Sequence, residues 1–225
     1  VRLAYKNARA MESHLEASLR FVNFLKKMMK ANPRSQNLRM AAYEAETFYA
    51  RALWTQHRTT EARAIFDSIE KRLKGRVSLA ELYWLKGRMS EEQRDYNAVA
   101  GYMELALAEK ITNPELRDKI LWYSAWNERV RGNLSGAVGY LKELDEKTTS
   151  EFVKVRALYW LGKTYLDARR DEEANGVFTK LIEVDPLGYY GLLAHRQLGL
   201  EIKMQNTLPT ASAENSEALL PIDVT

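Results

Sequence analysis

The sequence predicts an all-α chain built as a right-handed superhelix, a solenoid of antiparallel helix pairs stacked side by side. Three observations predict it. First, apolar and small residues recur at steps of three and four, as in Leu158, Leu161, Gly162 and Tyr165, then Ala174, Phe178 and Leu181. That spacing places one stripe on each helix of a pair. Second, the pair has copies. Ala62, Ala98, Ala137 and Ala174 align at steps of 36, 39 and 37 residues. Four residues past each come Phe66, Tyr102, Leu141 and Phe178, and three further on Ile69, Leu105, Leu144 and Leu181. A repeat of roughly 20–50 residues marks a solenoid, whose units bury their apolar faces on one another. Third, 225 residues contain only 5 Pro and 11 Gly and no alternating apolar–polar run of useful length. Strands are therefore not expected.

Residues 1–34 read as an N-terminal helix or a degenerate half repeat. Leu15, Leu19, Val22 and Met29 form its stripe, with Phe21, Leu25 and Met28 beside it. Lys26, Lys27 and Lys30 make a basic end before Asn32-Pro33, where cations suit the negative pole of a helix. Residues 35–203 hold the repeats and a terminal helix. The first unit, Asn37–Leu73, turns near His57–Thr59, and the second, Ser78–Ala108, near Arg94-Asp95. The third opens with Asn113-Pro114-Glu115, a cap residue, a first-turn proline and an acidic first turn, and turns at Gly132-Asn133. The fourth starts near Thr149-Ser150-Glu151, splits near Arg169–Asp171 and stops at Pro186. Thr59, Asp95 and Asp171 share a column where a side-chain oxygen can cap the second helix. In the first helices, Tyr49-Ala50 recurs as Ser124-Ala125 and Leu161-Gly162, and Tyr83-Trp84-Leu85 returns whole at Tyr159-Trp160-Leu161. Leu187–Lys203 is a last helix without a sequence partner, and 204–225, rich in Ser, Thr, Ala and Asn, reads as a linker or disordered tail.

Composition narrows the function classes. With 46% hydrophobic residues the chain can bury a sizeable core, yet no run reaches the ~18 apolar residues of a transmembrane segment. No cysteine is present, so disulfides and thiolate metal sites are excluded. The chain begins at Val1 without a signal peptide, which suggests a processed chain or an excised fragment. Residues 1–58 carry 11 Lys and Arg against 4 Glu, a local +7, while the remainder carries 23 against 26. A basic front can attract an anionic partner or be a solvated face. Nucleic acid is not expected, because aromatics do not interleave with the basic run.

The last unit resembles the tetratricopeptide repeat family through Leu161, Gly162, Tyr165, Ala174, Phe178 and Pro186. The period exceeds that family's usual ~34, which implies longer turns. A second resemblance covers about Val155 to Gly199. Ala157–Gly162 and Tyr189-Tyr190-Gly191-Leu192-Leu193-Ala194, followed by Leu198-Gly199, look like the end of the superhelical domain of soluble lytic murein transglycosylases. That resemblance implies a periplasmic, cell-wall setting in bacteria. It also implies peptidoglycan or a protein partner, including a downstream or separate catalytic domain. The family's catalytic Glu-Ser pair and Gly-Leu-Met-Gln segment are absent, so this chain is not expected to be an enzyme by itself.

No metal or cofactor is expected. His14, His57 and His195 lie far apart in sequence without ligand spacing, and no Gly-rich phosphate loop occurs. The candidate site is instead a groove on the first helices. The stripe opposite the core stripe gives Thr47, Arg51 and Trp54; Tyr83; Trp122, Trp126 and Arg129; and Arg156, Tyr159 and Lys163. Aromatics mixed with Arg and Lys suit an extended ligand bearing carboxylates, or glycan rings. Packing between units is the alternative for the aromatics. A free-standing adaptor that binds a peptide or protein in this groove is the alternative function.

Overall fold

The side chains of this sequence leave little for a strand to do, and the computed structural model is helical throughout the described residues. These are residues 2–201, with side chains from residue 12 onward. The helices are α1 (Arg2–Ala31), α2 (Gln36–Thr55), α3 (Thr59–Leu73), α4 (Ala80–Glu92), α5 (Tyr96–Ala108), α6 (Pro114–Val130), α7 (Leu134–Lys147), α8 (Glu151–Asp167), α9 (Asp171–Val184) and α10 (Tyr189–Gln197). Each packs on the next, and α2/α3, α4/α5, α6/α7 and α8/α9 form the four hairpins. This succession of hairpins is the stack of helix pairs that the sequence predicts. Residues 204–225 lie outside the described residues.

The hairpin turns are where the repeat is most regular. Each has three residues, 56–58, 93–95, 131–133 and 168–170. The middle residue always takes a left-handed conformation: His57 (φ 61°), Arg94 (58°), Gly132 (78°) and Arg169 (58°). Their spacing, 37, 38 and 37 residues, is the true period of the stack. The turns are thus short, not long, and the extra residues sit between units, as at 74–79 and 109–113.

That period corrects two alignments made from sequence. The inner columns of the second helices are Ala62, Val99, Ala137, Ala174; Phe66, Met103, Leu141, Phe178; and Ile69, Ala106, Leu144, Leu181, all buried. In α5 the expected Ala98, Tyr102 and Leu105 are one residue out. Ala98 and Tyr102 are half-buried and Leu105 is exposed. In the first helices, a Cβ on Gly87 would sit 2.5 Å from Met103 Cε, and one on Gly162 2.6 Å from the Phe178 ring. These glycines are therefore equivalent, 75 residues apart. The duplicated Tyr-Trp-Leu triplets are 76 apart and so do not superpose.

Caps follow the sequence in part. Ser35, Asp95, Asn113, Asn133 and Ser150 each accept a hydrogen bond from a backbone N–H in the first turn. Thr59 and Asp171 do not cap, because they are the first helical residues. The residues before them, Arg58 and Arg170, take the cap position and pair with Glu61 and Glu173 one turn on. These pairs hold both carboxylates below their ordinary range. α1 is a single helix that buries Leu15, Val22 and Leu25 against α2 but leaves Leu19 and Phe21 exposed, since only one helix covers it. α10 is shorter than expected, starting at Tyr189 and ending before the left-handed Gly199 (φ 66°).

Candidate functional site

All five tryptophans of the chain lie on first helices: Trp54 on α2, Trp84 on α4, Trp122 and Trp126 on α6, and Trp160 on α8. The 3.6-residue turn brings Trp122 and Trp126 together, their rings stacked with centroids 6.4 Å apart. Trp160 of the next first helix meets Trp126 edge-on at 5.1 Å. Tyr159 continues the row to Tyr190 of α10 at 5.5 Å, and Tyr190 meets Phe152 at 6.4 Å. Trp126 and Phe152 remain 38% and 65% exposed. The row is therefore partly packing and partly open surface.

Cations border it. The Arg156 guanidinium lies 4.0 Å from the Trp122 ring centroid and 5.8 Å from that of Phe152. Such contacts hold a cation in place without neutralising it. Among the described residues neither Arg156 nor Lys163 has a carboxylate within 4.0 Å. Arg129 differs. It bonds Thr164 Oγ1 and, at 2.5 Å, Asp167 of α8, with Trp160 under its guanidinium at 5.3 Å. Burial raises the Tyr159 and Tyr190 phenols above their ordinary value, so both are neutral hydroxyls at neutral pH.

The front of the same face is arranged differently. Arg51 faces Glu81 at 3.6 Å, and Trp54 Nε1 donates to Glu92 at 2.8 Å. Thr47 is buried. Tyr83 is corrected outright: it is 1% exposed and its hydroxyl donates to Glu70 of α3 at 3.3 Å, so it points at the second helices. Its neighbour Trp84 lies 6.0 Å from Tyr123, whose ring carries Arg88 at 4.3 Å. Trp84, Arg88, Tyr123, Trp160 and Tyr190 make the same kinds of contact without belonging to the stripe read from sequence. Trp84, Trp122 and Tyr159 recur at steps of 38 and 37, a signal the triplet alignment hid.

The arrangement stacks flat groups and pairs anions. No group of three His, Cys, Asp or Glu among the described residues is placed to hold a metal. No described helix is long and apolar enough to cross a membrane.

No protein-family model and no curated protein matches the chain. Solved structures do. YrrB, a TPR protein with an unusual peptide-binding site, is 17% identical over 78% of this chain and 84% of its own, with a TM-score of 0.53. MamA is 15% identical over 88% and 93%, TM-score 0.53. PilW, a widely conserved type IV pilus biogenesis factor, is 17% identical over 84% and 90%, TM-score 0.50. At these identities the likeness is one of fold: the chain has a tetratricopeptide-like superhelix.

Proposed function

We propose that the chain is a non-catalytic scaffold that holds an extended acidic segment of a peptide or protein along the first helices of its back half. The observation that carries this reading is the Trp122–Trp126–Trp160 cluster with Arg156 on Trp122, and Lys163 one turn past Trp160 on α8, two cations without a carboxylate partner among the described residues. Rings offer area at low entropic cost, and the free cations await carboxylates. The peptide-binding site of YrrB, on a similar fold, favours the same use. Tryptophan emission tests it directly, because three of the five tryptophans, Trp122, Trp126 and Trp160, form the proposed site. A docked acidic peptide shifts the emission of the wild type and not of Lys163→Glu. Unchanged emission across a panel of acidic peptides would remove the reading.

A second reading has its own observation. The Tyr189–Ala194 segment that resembles lytic transglycosylases is shaped by its glycines. A Cβ on Gly191 would meet the Asp185 carbonyl oxygen at 1.5 Å, and one on Gly188 the Asp185 carboxylate at 2.0 Å. The motif thus sets how α10 folds back on the end of the stack, against α8 and α9. On this reading the chain is the superhelical module of a periplasmic, lytic-transglycosylase-like envelope protein. Its site meets stem-peptide carboxylates and glycan rings of peptidoglycan, or docks a catalytic domain. Co-sedimentation with purified sacculi, without release of anhydro-sugars, is its expected signature. Release of anhydro-sugars by this chain alone would overturn the non-catalytic assignment.

A further inference from the structure

We propose that the α1–α3 end of the stack carries a second site, for a compact polyanion bearing two or more phosphate groups. Six cationic side chains surround one cavity of about 730 Å³ there: Lys26, Lys27 and Lys30 from the end of α1, Arg39 from α2, and Arg72 and Arg76 from the end of α3 and just past it. The lysines are one run in sequence, but the arginines arrive from two other segments. The fold therefore concentrates the positive charge of residues 1–58 and adds to it.

Little answers that charge within the chain. Glu46 takes Arg72 at 2.5 Å and Lys26 at 3.6 Å. Arg39 is held by Gln36 at 2.7 Å and by the Pro33 carbonyl at 3.3 Å, both neutral. Lys27, Lys30 and Arg76 have no carboxylate within 4.0 Å among the described residues. The C-termini of α1 and α3 end at this cavity, and their carbonyls make the cluster tolerable without neutralising it.

The geometry selects the kind of anion. The volume falls in the range of small-molecule sites, roughly 300–1,000 Å³. Charge reaches it from three helical segments, which suits a compact ligand with charge on several sides better than an extended chain. Both Nη atoms of Arg72 are held by Glu46, so one wall is set before any ligand arrives. Met29 and Leu73 line it with apolar surface against which the body of a small organic phosphate can rest. The unpaired Arg76 fork matches phosphate oxygens bidentately, with Lys27 and Lys30 beside it as point charges. The site shares no residue with the aromatic face, so either can fail alone.

The phosphates could belong to a soluble compound or to a lipid headgroup, and the test has an arm for each. The full chain is titrated calorimetrically with tripolyphosphate and pyrophosphate at low salt. In parallel it is sedimented with phosphatidylcholine vesicles with and without phosphatidylinositol bisphosphate. The expected result is saturable binding, tighter for tripolyphosphate and weakened by salt. The double variant Lys30→Gln/Arg76→Gln weakens it about tenfold or more, the exposed single variant Lys27→Gln less, and Lys163→Gln not at all. Binding confined to the bisphosphate vesicles, and lost in the same double variant, assigns the headgroup as the source. Removing like charge should leave the double variant melting at or above the wild type, which separates lost binding from lost folding. Absence of binding in both arms, or equal binding by the double variant, would overturn the site. Tighter binding of poly-glutamate than of tripolyphosphate would overturn the phosphate assignment.

Discussion

In the front half of the stack the first-helix face is closed by its own polar pairs, Arg51 with Glu81 and Trp54 with Glu92. In the back half the same helices carry stacked tryptophans with Arg156 on Trp122, and Lys163 one turn past Trp160; neither cation meets a carboxylate among the described residues. One column makes the contrast concrete. Read along the true period, a single outer position is Glu44, Glu81, Lys119 and then Arg156. Its charge reverses midway along the stack, while the inner columns stay apolar throughout. The repeat thus keeps its geometry in the inner positions and varies its chemistry in the outer ones. The two largest core clusters divide at about the same place, one running from Leu15 to Ile120 and the other from Ala125 to Ala194.

The largest effect should come from breaking the back half at its core. Phe178 is fully buried against Gly162, and Phe178→Ala should cost about 3–5 kcal/mol in chemical denaturation. A loss below about 1 kcal/mol would mean that α8 and α9 do not meet as described. Next comes a contrast between two arginines on the same face. Arg129 ties α6 to α8 through Thr164 and Asp167, so Arg129→Ala should cost about 1.5–3 kcal/mol. Arg51, half-exposed and 3.6 Å from Glu81, should cost less than about 1 kcal/mol. Equal losses would erase the difference between a structural arginine and a surface one. The turns sharpen the picture further. Arg169→Gly should raise stability by about 1 kcal/mol and Gly132→Ala lower it by a similar amount, because only glycine holds φ near +60° to +80° without strain.

The smallest effect is alkaline and belongs to the front half. Burial pushes the Tyr83 hydroxyl up to about 12, with Glu70 adding to it, and burial raises Tyr43 as well. Burial pulls the Lys86 ammonium down, but hydrogen bonds to Asp67 and Glu70 outweigh it and hold the group above its ordinary value. Groups with raised folded-state values contribute fully below their unfolded values, about pH 10, and lose that contribution as pH rises toward the folded ones. The melting temperature should therefore hold up to about pH 10 and fall beyond it, and Tyr83→Phe should blunt the fall.

Much of this was legible in the sequence, and the misses have physical causes. The hairpins, three of the four inner alanines and the Asn113 and Asp95 caps follow from periodicity and capping chemistry. The register of α5 does not, because Ala98-Val99-Ala100-Gly101 is small or apolar on every side and either neighbour could face inward. Tyr83 was misplaced for the related reason that an identical triplet, one residue out of phase, recurs on α8. Arg129 looked available because its partner Asp167 lies 38 residues away. Arg72, Arg76 and the lysines of α1 are likewise brought together only because α1 and α3 both pack on α2.

On the proposed function, the open cations and tryptophans of α6 and α8 select an acidic segment. A displayed library of random peptides panned against the wild type and Lys163→Glu, both checked for unchanged helical signal and melting, tests it most directly. The wild type should enrich peptides carrying Asp or Glu near an aromatic residue, and Lys163→Glu should not. Enrichment of the same peptides by both proteins, or of none by the wild type, would contradict it.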